Sequence, residues 1–390
     1  MVDFEMAEIV KSLPFNYFSG IDDKVAAKID AGEDVIDLAS GSPDLAMDPA
    51  VLAAIQLALT DPSNQAYPPF TGKAKLKQAV ANFYQRMYGV VIDAEKEVMI
   101  VNSSGVSVVA VPQTLLNPGD TILLTNPAYP PYFAAAKLAQ AEVYEMPALA
   151  ENAFLPDFEE IPIEVAKKAK VMMLNYPNNP TGAVATTTFF EKAITFCEKY
   201  HIALIHDFAY AAIGYNGVKP LSLMQMGNGK NIGVELYTAS KTFSMAGYRF
   251  GFVVGNESII SAFKNYHSNA YSTVPGFIQD GMTAALNGSY AKIESNRHIY
   301  EERLNTLVSG LQTIGWKVEA PQGSLFAWFK VPKGYTSETF ADCLLEKANI
   351  AVAPGSGFGS EGKDYVRVSV LQELPRIHEV IDRIDKLNLF

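Results

Sequence analysis

The sequence predicts an α/β fold: a large domain with a mostly parallel sheet flanked by helices, plus a smaller α+β domain built from the C-terminal part and the N-terminal arm. Three observations predict it. Short runs such as Val98-Met99-Ile100-Val101 and Val171-Met172-Met173-Leu174 are apolar at every position, as strands covered on both faces are. Amphipathic stretches separate these runs, the alternation expected of βαβ units. From about Ala285 the pattern changes to one long helix followed by shorter, more alternating strands.

In chain order, Val98–Val101 reads as a strand followed by a helix near Val106 to Leu116. Thr121 to Leu124 is the next strand, with a helix from about Pro131. A strand over Lys170 to Leu174 precedes a helix near Thr187 to Tyr200, and Ala203 to His206 and Val234 to Tyr237 are further strands. Beyond them come a helix over Tyr290 to Gly310, strands at Trp316 to Glu319 and Ser324 to Val331, a helix over Ser337 to Ala348, a strand at Tyr365 to Val370 and a closing helix to Leu389. Turn clusters, among them Asn117-Pro118-Gly119-Asp120 and Asn178-Asn179-Pro180-Thr181-Gly182, punctuate the series. The reading divides the chain into a large domain over 46–284 and a small one made of 1–45 together with 285–390.

Composition narrows the function. With 390 residues, 49% of them hydrophobic, there is ample chain for a sizeable core. Thirty-one Lys and Arg against 42 Asp and Glu leave a net charge of −11, which argues against a nucleic-acid or anionic-membrane partner. Two cysteines make at most one bridge, and no CxxC or HExxH occurs, so no metal site is expected. The five histidines read as packing or surface residues. The acidic start lacks the basic and apolar regions of a signal peptide, and a cytoplasmic location is expected. Phe15, Tyr17 and Phe18 are expected to anchor the arm or line a pocket.

The chemistry gathers at the ends of strands. Lys241 follows the run Val234 to Tyr237 and is flanked by hydroxyls; burial lowers an ammonium pKa and frees the amine as nucleophile or base. Arg249 lies eight residues on, in a turn suited to gripping a phosphate. Asp207 ends another apolar strand, the end at which parallel sheets bind ligands; a helix cap is the plainer reading of it. Ser103-Ser104-Gly105-Val106-Ser107 joins a strand to a helix whose first amides can hold an anion. Pro354-Gly355-Ser356-Gly357-Phe358-Gly359 opens no βαβ unit and is not a nucleotide loop.

In this order, the Asn-Pro-Thr-Gly loop, the Asp207-x-x-Tyr210 segment and Ser240-Lys241 with Arg249 resemble the class I/II pyridoxal-phosphate aminotransferases of fold type I. The likeness runs over nearly the whole chain and leans towards the aspartate, methionine and LL-diaminopimelate aminotransferase-like branch. It implies pyridoxal 5′-phosphate as cofactor and transfer of an amino group from an L-amino acid to a 2-oxo acid, through a Lys241 Schiff base and a pyridoxamine form. By the same resemblance, Asp207 would face the pyridine nitrogen, and Tyr210 and Asn179 the ring hydroxyl. Gly105, Val106, Ser107, Thr238, Ser240 and Arg249 would hold the phosphate, and Tyr129 would stack on the ring. Arg367, with Gly41 and Asn179, would take the substrate carboxylate. Tyr67 would reach the cofactor of a neighbouring subunit, which implies a homodimer. Ser268 and Asn269 stand where aspartate-specific members carry an arginine, so a dicarboxylate preference is not implied. A C–S lyase using the same cofactor for β-elimination, or a non-catalytic cofactor-binding sensor, are the alternatives.

Overall fold

The computed structural model describes residues 3–13 and 17–390. Phe15 and the side chains of Tyr17 and Phe18 lie outside the described residues, and with them the expectation placed on the arm's aromatics. Twelve strands follow among the described residues. β1 (Ile36–Asp37) precedes the seven strands of the main sheet: β2 (Val98–Val101), β3 (Thr121–Asn126), β4 (Glu142–Pro147), β5 (Ala169–Asn175), β6 (Ala203–Asp207), β7 (Gly233–Thr238) and β8 (Gly251–Gly255). β9 (Phe326–Lys330), β10 (Ile350–Ala351), β11 (Ala353–Pro354) and β12 (Tyr365–Ser369) complete the set.

The main sheet has the order β2-β8-β7-β6-β5-β3-β4. All its pairings are parallel except those of β8, which runs against both β2 and β7. The expected mostly parallel sheet is present, with one reversed strand that the sequence reading did not anticipate. Strand alternation explains the layering. Ile122 and Leu124 of β3 face one core with Val171 and Met173, while Leu123 faces the other with Met172 and Leu174. β4 forms an edge and carries Glu142 and Glu145, charges that discourage pairing with another chain.

A separate core sits under the helices Ala291–Thr313 and Ser337–Ala348. Leu304, Leu307, Phe340 and Leu344 pack there with Phe329 and Val368, and Ile36 and Leu38 of the N-terminal arm join them. β1 pairs in parallel with β10, while β11-β12-β9 form a small antiparallel sheet. The helices Thr187–Tyr200 and Ser337–Ala348 have the expected bounds. Trp316 to Glu319 is not a strand. After the turn at Gly315, the Trp316 ring instead stacks on Phe390 at 5.0 Å, and its indole N–H donates to the Lys330 carbonyl at 2.9 Å. Among the described residues no helix is long and apolar enough to cross a membrane.

Candidate active site

A cavity of about 480 Å³ opens at the C-terminal ends of β5, β6 and β7, beside the start of β8. Each strand delivers one polar group as its apolar run ends. β7 ends at Thr238, whose hydroxyl caps the short turn Ala239–Thr242 by accepting from the Ser240 amide at 3.2 Å. Lys241 sits in that turn, half-buried, with Nζ donating to the Gly41 carbonyl. Burial lowers the Lys241 pKa to about 8, helped by the positive charges of Arg367 and Arg249.

Asp207 is the last residue of β6 and is buried. The Tyr132 hydroxyl donates to its Oδ2 at 2.8 Å, whereas Oδ1 is buried without a hydrogen-bond partner. Burial pushes the Asp207 pKa up to about 6, against the opposing pull of the Tyr132 hydroxyl and of His206. Asn175, ending β5, donates to the Asp207 carbonyl at 2.7 Å and accepts from the Asn179 amide at 2.8 Å, which ties the Asn-Pro-Thr-Gly loop to β6.

On the opposite face of the same strands the chain buries a second polar cluster. Glu235 of β7 accepts from the Tyr84 hydroxyl at 2.7 Å, the Ser222 hydroxyl at 2.9 Å and the Leu223 amide at 2.8 Å. His206 Nδ1 lies 3.0 Å from Glu235 and Nε2 lies 3.0 Å from the Tyr176 carbonyl. A carbonyl only accepts, so Nε2 carries a proton. The cluster fastens β5, β6 and β7 together just below the residues they present to the cavity.

An anion cradle lies at the start of the helix Ser104–Leu115, which no side chain caps, although the Val106 amide already donates to the Ser103 carbonyl at 3.2 Å. Arg249 Nη2 donates to Ser103 Oγ at 2.9 Å and Nη1 to the Ala246 carbonyl at 2.8 Å. Gly251 makes the approach possible: a Cβ there would meet the Tyr237 carbonyl oxygen at 2.6 Å and the Ser104 amide at 2.8 Å. Ser103, Ser104, Gly105, Thr238, Ser240 and Arg249 all line the cavity.

At the far end, Arg367 of β12 is buried, donating to Asn179 Oδ1 at 3.0 Å and to the Ala39 carbonyl at 2.6 Å. Its guanidinium lies 3.9 Å from the centroid of the Phe326 ring, and burial brings its pKa down to about 10. Gly41 is close to the same ring, 3.0 Å from Phe326 Cζ to a Cβ built on it. Tyr129 stands edge-on to Tyr132 at 5.6 Å, and Tyr210 edge-on to Phe326 at 5.9 Å.

The structure thus brings Gly41, Gly105, Tyr129, Asn179, Asp207, Tyr210, Thr238, Ser240, Lys241, Arg249 and Arg367 to one cavity. Val106 and Ser107 are not in its wall. The helix begins at Ser104 rather than at Val106, so Ser107 has turned to the buried side, and Ser103 and Ser104 take the position expected of it. Tyr67 is 94% exposed and lies away from this cavity. Tyr132 and Phe326 were not singled out from sequence, whereas Ser103 and Ser104 were named within the anion-holding turn without a role of their own, and Asn175 only as the head of the Asn-Pro-Thr-Gly loop. Among the described residues no group of three or more His, Cys, Asp or Glu side chains is placed to hold a metal.

The donor set fits the phosphorylated pyridine that the sequence resemblance implies. Asp207 Oδ1 is a buried acceptor lacking a donor, and the helix start with Arg249 suits a phosphate. Comparison with known proteins points the same way. The family model described as aminotransferase class I and II matches residues 33–384. The chain is 46% identical over 387 residues to an L-glutamine–4-(methylsulfanyl)-2-oxobutanoate aminotransferase of Bacillus subtilis, covering 99% of this chain and 97% of that protein. It is 40% identical to an LL-diaminopimelate aminotransferase of Syntrophobacter fumaroxidans over 99% of both chains. A substrate-bound structure of BacF from Bacillus subtilis superposes with a TM-score of 0.95 at 42% identity, covering 100% of this chain and 98% of that one.

Proposed function

The chain belongs to the class I and II aminotransferases, and from that premise we propose that Lys241, Asp207 and Arg367 carry the reaction in the cavity described above. The protein is a pyridoxal-phosphate-dependent aminotransferase. One observation supports the residue assignment above the others: a buried carboxylate with one unpaired oxygen, Asp207, lines the same cavity as an amine whose pKa burial has lowered, Lys241. The relatives compared are aminotransferases and do not favour β-elimination or a sensor role.

When bound, pyridoxal phosphate supplies a carbonyl carbon for the amino group and a ring that accepts the electrons released at the substrate Cα. Asp207 Oδ1 would accept a hydrogen bond from the protonated ring nitrogen and keep the proton there, while the Tyr132 hydroxyl on Oδ2 favours the charged carboxylate and aims it. Asn179 and Tyr210, both in the cavity wall, would take the ring hydroxyl, and Tyr129 would cover a ring face. Ser103, Ser104, the Gly105 amide, Thr238, Ser240 and Arg249 take the phosphate through charge-assisted bonds of about 1.5–3 kcal/mol each. The Arg367 fork takes the α-carboxylate of amino donor and oxo acceptor in turn, with the Gly41 backbone beside it, and so orients Cα–H. Lys241 Nζ is the base that takes the proton from Cα.

We read the chain as a large domain over 46–284 and a small one over 1–45 with 285–390. It works in the cytoplasm as a homodimer in which Tyr67 of each subunit completes its neighbour's phosphate cradle. The exposed side chains of Tyr67 and Phe70, and of Leu57 and Leu59 on the nearby helix Pro49–Leu59, support such an apolar contact. The test is a donor panel including glutamine, methionine and LL-diaminopimelate, each supplied with a 2-oxo acid. Oxo-acid product from the donor is expected. Its absence across the panel, or ammonia release without any acceptor, overturns the reading.

A further inference from the structure

Five charged side chains line the cavity among the described residues: Asp22, Asp207, Lys241, Arg249 and Arg367. Four of them have functions in the reading above. Arg249 is committed to Ser103 and Ala246, and Arg367 to Asn179 and Ala39. Asp22 has none. It projects from the helix Tyr17–Asp30 next to Ile21, which lines the cavity with it. Outside the cradle, the ring site and Arg367, the polar side chains this subunit leaves in the wall are those of Asp22, Ser40 and Ser42, among the apolar Ile21, Ala39, Val108, Ala209, Ala246 and Phe326. Asp22 is exposed on the cavity side; its slight desolvation raises its pKa, and the negative charges of Asp37 and Asp23 raise it further, which shows that this wall sits in a negative field. Asp37 itself is fixed, accepting from the Ala39 amide at 2.7 Å and the Ser40 amide at 3.2 Å. No lysine or arginine of the described cavity wall remains to pair with a second substrate carboxylate, and residues 14–19 are Pro, Phe, Asn, Tyr, Phe and Ser.

We propose that Asp22 selects the substrate side chain, passing amino and oxo acids whose far end is an amide or is uncharged and turning away those that end in a carboxylate. The inference rests on the proposed function, because Arg367 must hold the α-carboxylate for the side chain to meet Asp22. A carboxylate brought to about 4 Å of Asp22 in a part-hydrated setting loses about tenfold in affinity against its amide.

The experiment compares kcat/KM for glutamine with glutamate and for asparagine with aspartate, using methionine as the uncharged reference, in the wild-type enzyme and in Asp22→Asn and Asp23→Asn. The wild type is expected to favour each amide about tenfold or more. Asp22→Asn is expected to raise the glutamate-to-methionine ratio about tenfold, mainly through KM, and Asp23→Asn to leave that ratio near the wild-type value. An unchanged ratio in Asp22→Asn, with methionine still turned over, overturns the proposal and leaves the aminotransferase reading standing. A parallel calorimetric titration with 2-oxoglutarate and with its ω-amide needs no turnover. About tenfold tighter 2-oxoglutarate binding in Asp22→Asn supports the proposal, and equal binding overturns it. A wild type inert towards every donor counts against the aminotransferase reading, and the calorimetry then decides on Asp22.

Discussion

The hydroxyl of Tyr132 donates 2.8 Å to Oδ2 of Asp207, from a helix seventy-five positions away in the chain, and the other carboxylate oxygen is left without a bond. Burial raises the Asp207 pKa to about 6, and the Tyr132 hydroxyl is the largest of the influences that oppose it, ahead of His206 and the Ala209 amide. Tyr132→Phe is expected to push that pKa higher, so the acid limb of the kcat/KM profile moves to higher pH. At neutral pH a loss of about 10- to 100-fold is expected, the worth of one hydrogen bond to a charged group. An acid limb unmoved in Tyr132→Phe would show that Tyr132 has no hold on the carboxyl.

Lys241 gives a second pH dependence. With a pKa of about 8 in the cofactor-free protein, its amine is ~10% neutral at pH 7 and ~90% neutral at pH 9. Covalent capture of pyridoxal phosphate at Nζ, trapped by borohydride and read by mass spectrometry, is therefore expected to speed up about tenfold across that interval. Removing a neighbouring cation relieves the lowering, so Arg367→Gln is expected to shift the midpoint upwards. A rate flat from pH 7 to 9 would contradict the assignment.

Glu235 is fully buried, takes hydrogen bonds from Tyr84, Ser222 and Leu223, and lies 3.0 Å from His206 Nδ1. Glu235→Gln turns one acceptor oxygen into a donor facing donors. Loss of one member of a buried charged cluster costs about 3–5 kcal/mol, which a urea unfolding midpoint will register. A stability within 1 kcal/mol of wild type, a threshold at the size of an ordinary surface change, would mean that the cluster is not fastening the three strands.

His267 is buried beside Phe263 and Tyr271, and neither ring nitrogen has a hydrogen-bond partner. Burial lowers its pKa below the ordinary 6.5. The unfolded chain then binds a proton that the folded chain refuses, so the stability due to this group is complete above pH 6.5 and is lost as pH falls through the folded value. His267→Leu is expected to flatten that acid loss and to gain about 1 kcal/mol at neutral pH, since an unpaired imidazole no longer has to be buried. Parallel stability-against-pH curves for the two proteins would refute this.

Much of this was legible in the sequence, for a physical reason. Asp207 and Lys241 each follow an apolar run, and strands of a doubly covered sheet offer polar groups to a ligand where they emerge, since a polar group within them must find its partners inside the core. The helix start was read at about Val106, two residues late, so Val106 and Ser107 were expected in the cradle beside Gly105, because a run such as Ser103-Ser104-Gly105-Val106-Ser107 does not mark its own helix start. Tyr132 and Phe326 were invisible for another reason: their roles depend on distant partners, Tyr132 on Asp207 seventy-five residues on and Phe326 on Arg367 of the neighbouring strand. Glu235 did leave a trace, a carboxylate inside Gly233–Thr238, where burial demands partners. The reversal of β8 left none, since a strand's direction is decided by what it pairs with.

That reversal sets a rule on chain length. Gly251 stands opposite Thr238 on one side and Val101 on the other, so the start of β8 meets the ends of β7 and β2. A parallel neighbour would have required a long crossover, whereas here residues 239–250 suffice as the connection. Lys241 and Arg249 therefore share one tether, anchored at both ends by sheet pairing. An inserted residue in that tether would swing the amine and the guanidinium out of step with each other. The crossover from β4 to β5, residues 148–168, contributes nothing to the cavity wall, so an added residue there is expected to leave both groups in place.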